Sequence, residues 1–425
     1  MSFIYNYIFG IQEPDSLPEF VSMQETAYKS ETAYKSETAY KSETAYKSET
    51  TDKSDTEITD ALTNFFYNIN ANNYEILAEA AAKDSLHYTV KIIAHIRRRE
   101  YSNIGRRLLI WLQKNHQETL IENLPLFMQS RHDDFAYLPR NSKTVYAYLK
   151  YLSEQLVLDR ANMERGNTVS FVAKWIPSET SGINKRTGFT FRLAHQMQIS
   201  MGELRKNYLS PLRIYIENTK KTVFPDGLKT HYEIISPYLI GHPLDNRLEA
   251  KWVPTRLDET AVMSDVSLST TGIPLLISVA MGLLAEIVLT FEPFPHIVEV
   301  KGETLYEKVR KMRTIPSGSR TDICEAVRQT SGYGIRKLII ISDMPLSKAD
   351  DLYNEETRDI LMEKYSLPEI VYWNVKPREI KFEQKYGINV VSGFSPEIFQ
   401  CIIDGMLPTA HNTMISAIVL PKKST

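Results

Sequence analysis

From residue 255 onward the chain alternates short apolar, β-branched runs with amphipathic stretches, and few architectures accept that alternation. Strand-type runs fall at 261–263, 297–300, 338–341, 370–375 and 388–391, with helix-type segments at 275–289, 305–312, 322–329, 349–365 and 396–406. Continuous apolar strands separated by helices predict a doubly wound, Rossmann-like α/β domain, its parallel sheet covered on both faces. In such a sheet, ligands sit beyond the carboxyl ends of the strands.

Before that point the pattern differs. Segments 57–66, 74–82, 86–96, 106–112 and 145–156 carry apolar residues three and four apart, and strand-like alternation is scarce. This predicts an all-α array, packed as a helical repeat or an irregular bundle. At 425 residues the chain is long enough for two or three units of roughly 100–200 residues each. The expected division is a low-complexity tail at 1–56, a helical domain at 57–258 and an α/β domain at 259–425. Within the tail the hexapeptide Glu-Thr-Ala-Tyr-Lys-Ser repeats four times from Glu25 to Ser48, too poor in aliphatic side chains to bury.

With 43% hydrophobic residues, 24% charged and a net charge of −2, the composition is that of an ordinary globular protein and excludes a strongly basic nucleic-acid binder. Cys324 and Cys401 stand far apart, which predicts neither a disulfide framework nor a zinc module, and fits a reducing compartment. Residues 1–10 lack the basic residues and cleavage site of a secretory signal, so a non-secreted, cytoplasmic protein is expected. The apolar stretch 272–291 has the length of a membrane span, but Glu286 lies inside it and Pro274 opens it. A buried helix behind the sheet is expected there, and no membrane contact.

The chemistry concentrates in Asp265-Val266-Ser267-Leu268-Ser269, just past the first strand-type run, with Thr321 in a Gly/Ser-rich loop and Ser342-Asp343 at the end of another run. Asp265, Ser267, Ser269, Thr321 and Asp343 are all hard oxygen donors, so the expected cation is Mg²⁺, or Mn²⁺, rather than zinc. Neutral hydroxyls leave the cation much of its charge, enough to attract a carboxylate of an acidic partner protein or a phosphate-bearing ligand. A phosphatase-like phosphotransfer enzyme is the alternative chemistry, but Ser267 stands where a second carboxylate would serve as general acid. An inert structural protein is the third reading. No catalytic residue is expected.

These motifs resemble a von Willebrand factor A-like domain with a metal-ion-dependent adhesion site. Leu268 and Thr270 stand where that pattern commonly has a small residue and Met. Across the wider chain, Lys174-Trp175-Ile176-Pro177-Ser178-Glu179, Tyr208-Leu209-Ser210-Pro211-Leu212-Arg213, Tyr372-Trp373-Asn374 and Val391-Ser392-Gly393-Phe394-Ser395 resemble a family known as domain of unknown function 2828. The layout is also similar to the TROVE module plus A domain of the Ro autoantigen family. That resemblance implies a HEAT-like helical ring that binds small noncoding RNA and a non-enzymatic scaffold role. In that comparison Arg97, Arg98, Arg99, Arg106 and Arg107 are the candidate RNA contacts, because guanidinium groups neutralise phosphates and stack on bases. A solvated helix face is the plainer expectation for the same run. Asp322 is expected to cap a helix, Trp175 and Trp252 to anchor loops, and His132-Asp133-Asp134 to lie in a loop without metal chemistry.

Overall fold

The structure, a computed structural model, describes residues 60–99, 103–129, 131–219, 230–253, 255–350 and 353–418. The hexapeptide repeats lie outside these. A helical region comes first. Its longest elements are Asp60–Asn68, Tyr74–Arg99, Asn103–Asn115, Lys143–Glu164 and Ser210–Thr219. Ser85, at φ −153° and ψ 103°, breaks the long Tyr74–Arg99 span in two. A mixed seven-stranded sheet domain follows: β1 (Leu257–Ser264), β2 (Ala285–Thr290), β3 (Ile297–Val298), β4 (Lys337–Ser342), β5 (Glu369–Asn374), β6 (Lys381–Lys385) and β7 (Ile388–Ser392).

The strand order is β3-β2-β1-β4-β5-β7-β6, with β2, β1, β4, β5 and β7 parallel and the two edge strands antiparallel. The expected all-parallel sheet is therefore corrected at both edges. Two strands escaped the sequence reading. Residues 275–289, expected as one helix, form the helix Ile273–Leu284 and then, without a loop, β2. A fully apolar run has no period with which to separate buried helix from buried strand. β6, Lys-Phe-Glu-Gln-Lys, is a polar edge strand, mostly exposed, and carries no apolar run at all. No helix among the described residues is long and apolar enough to cross a membrane.

Both faces of the sheet are covered. One buries Val262, Ile339, Ile341, Val371 and Trp373 beneath the helices His231–Leu239, Ile273–Leu284, Leu305–Met312 and Pro396–Ile403. The other buries Ala261, Met263, Ile340 and Tyr372 against Ile323–Thr330. Alternate residues of each strand feed opposite cores, as a two-sided sheet requires.

The cores do not divide at residue 258. His231–Leu239 contributes Tyr232, Ile234, Ile235 and Tyr238 to the sheet's core, and Leu248 joins them. The last described helix, Ala410–Ile418, returns to the helical core with Met414 and Ile418. The helical core thus draws on both ends of the described chain.

Candidate ligand site at the strand ends

β1 lies between β2 and β4, so the chain leaves β1 toward one edge and later returns on its other side. The helix after β1, Ile273–Leu284, and the helix that enters β4, Ile323–Thr330, cover opposite faces, so the carboxyl ends of β1 and β4 form the switch point where a doubly wound sheet offers a crevice. Two glycines let the chain take this path. Gly282 brings its helix so close to β1 that a Cβ there would stand 2.8 Å from Ser264 Oγ and 2.3 Å from Met312 Cε. Gly272, at φ +64° and ψ −133°, occupies a backbone region essentially reserved for glycine and turns the loop after β1 into that helix.

Asp265 follows β1 directly, and its amide donates to Ile341 O of β4 at 3.1 Å. Its side chain is fully buried. Oδ1 accepts from the Ser267 amide at 3.1 Å and from Ser317 Oγ at 3.2 Å, and Oδ2 accepts from Ser342 Oγ at 2.9 Å. Ser267 Oγ lies 3.0 Å from both Ser269 Oγ and Thr270 Oγ1. One turn, a neighbouring loop and the end of β4 therefore bring a carboxylate and five hydroxyls together.

Of the five expected ligands, the structure joins Asp265, Ser267 and Ser269. Thr321 is buried at the neighbouring loop with its hydroxyl donating to Met263 Sδ at 2.9 Å, and no described hydrogen bond links it to the turn. Asp343 is paired instead with Lys376, Oδ2 to Nζ 2.8 Å, and that carboxylate raises the lysine's pKa. Ser317, Thr270 and Lys376 were not in the expected set. Ser317 was the most accessible to sequence reasoning, since it lies in the same Gly/Ser-rich loop as Thr321. Asp322 caps Ile323–Thr330 as expected, accepting from the Glu325 amide at 3.0 Å.

The donor chemistry suits a hard cation. Among the described residues Asp265 has no ion-pair partner, and a buried carboxylate held only by neutral donors is an incompletely compensated charge. No cluster of three or more His, Cys, Asp or Glu side chains is placed to hold a metal among these residues. Any cation here would rely on hydroxyl oxygens.

The arginine run does not form one surface. Arg97 is buried, with Nη2 3.2 Å from both Asp134 Oδ2 and Arg131 O, and its guanidinium lies over the rings of Phe127 and Phe135. Neither RNA contact nor the solvated helix face expected for it survives that burial. Ile93 and Ala94, four and three residues earlier, share its inward face. Arg106 also approaches Asp134, at 3.6 Å, and lies over Tyr137. Arg98 bonds Gln129, and exposed Arg107 bonds Ala71 O. The side chain of Arg99 lies outside the described residues. His132-Asp133-Asp134, expected as a loop, opens the buried 3₁₀ turn Asp133–Tyr137, where Arg131 grips Asp133 through two bonds of 2.9 and 3.0 Å.

A family model described as a domain of unknown function (DUF7788) matches residues 257–417, the sheet and the helices after it. The uncharacterized protein L728 of Acanthamoeba polyphaga mimivirus is 26% identical over 241 residues, 48% of this chain and 42% of that protein. The chain thus spans about two-fifths of that relative's length. The crystal structure of the Deinococcus radiodurans RO (RSR) protein aligns over 84% of this chain and 86% of that one, at 12% identity and a TM-score of 0.39.

Proposed function

We propose that this chain is a non-enzymatic binding protein whose α/β part, of the von Willebrand factor A type, holds Mg²⁺ or Mn²⁺ at the ends of β1 and β4. One observation supports this above the others: Asp265 is fully buried among neutral donors, with no basic side chain bonded to it among the described residues. Ser267 and Ser269 would hold the cation with Asp265, the carboxylate acting through water. The cation would supply an open coordination position for an external carboxylate or phosphate.

Ser317 and Ser342 fix both carboxylate oxygens of Asp265 and keep it from rotating out of the crevice. The Ser267 amide bond to Oδ1 closes the turn that presents the hydroxyls of Ser267 and Ser269. Among the described residues no second carboxylate is hydrogen-bonded to Asp265, and Asp343 is paired with Lys376 rather than free to serve as a general acid. This favours binding over phosphotransfer.

Calorimetric titration with MgCl₂ is the test. Wild type should take up one ion per chain and Asp265→Ala none. Equal, negligible uptake in both would remove the reading.

A further inference from the structure

In the helical region, arginines from three neighbouring segments gather around Tyr137. The guanidinium of Arg106 lies over its ring at 5.1 Å and that of Arg186 at 5.5 Å, and Arg186 Nη2 donates to its hydroxyl at 2.9 Å. Arg140 Nη2 donates to Arg186 O at 2.8 Å, and Arg192 Nη1 donates to Arg140 O at 3.4 Å. The loop after Tyr137, the short helix Gly182–Thr187 and the helix Phe189–Gln196 thus bring Arg140, Arg186 and Arg192 to one place.

The acids on the adjoining segments are engaged elsewhere. Asp133 is held by Arg131, Asp134 by Arg97 and Arg106, and Glu118 by Lys143 at 3.1 Å. Glu179 is exposed in the loop before Gly182–Thr187, and no ion pair joins it to Arg140, Lys185, Arg186 or Arg192 among the described residues. Arg192 Nε and Nη2 are buried without a protein acceptor among these residues, and burial, followed by the Arg140 charge, lowers the Arg192 pKa. Like charges held together repel, and an anion among them removes that cost.

The arrangement suits a phosphate monoester better than a nucleic-acid backbone. Its cations converge instead of running in a stripe: Arg97 is buried and Arg98 bonds Gln129, so the charge does not continue into the arginine run. The Tyr137 ring is taken by two guanidinium groups rather than offered to a base. Phe191, exposed one residue before Arg192, leaves its helix about 100° around from it and stands outside the cluster. A phosphorylated side chain puts about −1.5 to −2 charges and three acceptor oxygens at one point, which forked guanidinium donors match.

We propose that Arg140 and Arg186, with Arg192 behind them, dock a phosphorylated serine or threonine of a partner protein. Arg140 and Arg186 are exposed, and Arg140 Nε and Nη1 and Arg186 Nη1 have no acceptor among the described hydrogen bonds, so these groups meet the phosphate oxygens. Half-buried Arg192 adds its charge from below. The site lies in the helical region and does not depend on the cation reading of the strand ends.

A degenerate nine-residue peptide library with phosphoserine fixed at its centre, and the same library with serine there, tests this by fluorescence anisotropy on the full chain. The phosphorylated library should bind at least tenfold more tightly. Arg140→Gln and Arg186→Gln should each remove most of that preference, Arg192→Gln should reduce it severalfold, and Lys385→Gln on exposed β6 should leave it unchanged. Arg140 and Arg186 also tie segments together, so thermal unfolding is followed alongside. Should the Gln variants unfold, Arg140→Lys/Arg186→Lys decides, because it keeps both charges and loses the forked donors: a severalfold loss supports the proposal and none overturns it. Equal binding of the two libraries, or a preference that survives in folded Arg140→Gln/Arg186→Gln, also overturns it. A single-stranded RNA of twenty nucleotides that binds tenfold more tightly than the phosphorylated library, and loses that affinity in the same variants, would assign the cluster to nucleic acid instead.

Discussion

Asp133 and Asp134 of the helical region and Asp265 at the strand ends are buried carboxylates held in opposite ways, although Asp159, also in the helical region, is held like Asp265 by neutral donors alone, Gln155 and the amide and hydroxyl of Ser170. In the helical core, Asp134 meets Arg97 at 3.2 Å and Arg106 at 3.6 Å, while Asp133 is held through two bonds by Arg131. In the crevice, Asp265 is buried as deeply but receives only an amide and two hydroxyls. A buried charge that its own protein completes is a structural fastening. Neutral donors alone do not mark a binding site, since Asp159 is held that way too; what sets Asp265 apart is its place among the hydroxyls of the turn after β1. The contrast separates the two roles more sharply than residue type does, since every group involved is an ordinary aspartate.

The largest expected effect lies on the fastened side. Arg97→Met removes the buried partner of Asp134, leaving it the half-buried Arg106 at 3.6 Å, and should destabilise the protein by up to about 3–5 kcal/mol in urea unfolding. The double variant Arg97→Met/Asp134→Leu should recover much of that, because no charge then remains buried alone. If the single variant unfolds no more easily than wild type, the pair is not a fastening.

Next in size is a pH effect in the same region. His132 is fully buried, its Nδ1 2.6 Å from the Tyr148 hydroxyl, and burial, reinforced by the Arg97 charge, lowers its pKa to about 3. A histidine with a folded pKa below its unfolded value of 6.5 is neutral in the folded state and takes up a proton on unfolding. Its contribution is therefore fully present above pH 6.5 and is lost as pH falls toward 3, by at most about 1.4 kcal/mol per unit. Urea unfolding at pH 7, 5 and 4 should show a loss of stability that His132→Asn flattens.

Across the comparison, Asp265→Asn should cost little in the absence of divalent cations, within about 1 kcal/mol, because the amide keeps the shape and removes an uncompensated charge. The same change should abolish Mg²⁺ uptake. A loss as large as that of Arg97→Met would place Asp265 with the fastened carboxylates and erase the distinction.

How much of this could be read from the chain depends on whether the signal was local. β1, β4, β5 and β7 were legible because each is a continuous apolar run bounded by turns. β2 was not, since it continues an apolar helix without a break, and polar β6 offered nothing to find. The turn Asp265–Ser269 announced itself because its donors sit within five residues. Ser317 and Lys376 did not, because only the strand order brings them to Asp265 and Asp343. Arg97 was misread for a related reason. Its three-residue arginine run looked like surface, while its spacing from Ile93 and Ala94 already placed it on the buried face.

The smallest expected effect is the most discriminating for the crevice. Lys376 is exposed and its bond to Asp343 is a surface ion pair, so Lys376→Met should change stability by no more than about 0.5 kcal/mol. It would, however, free the Asp343 carboxylate. If Asp343 contributes to cation binding through water, Mg²⁺ affinity in Lys376→Met should rise severalfold, because the ammonium no longer competes for the same oxygen. If Asp265, Ser267 and Ser269 suffice, affinity should stay at the wild-type value, and Asp343 then belongs with the carboxylates the protein neutralises for itself. Calorimetry on the single variant and on Lys376→Met/Asp343→Asn decides between them, since only the first outcome is reversed by the second substitution.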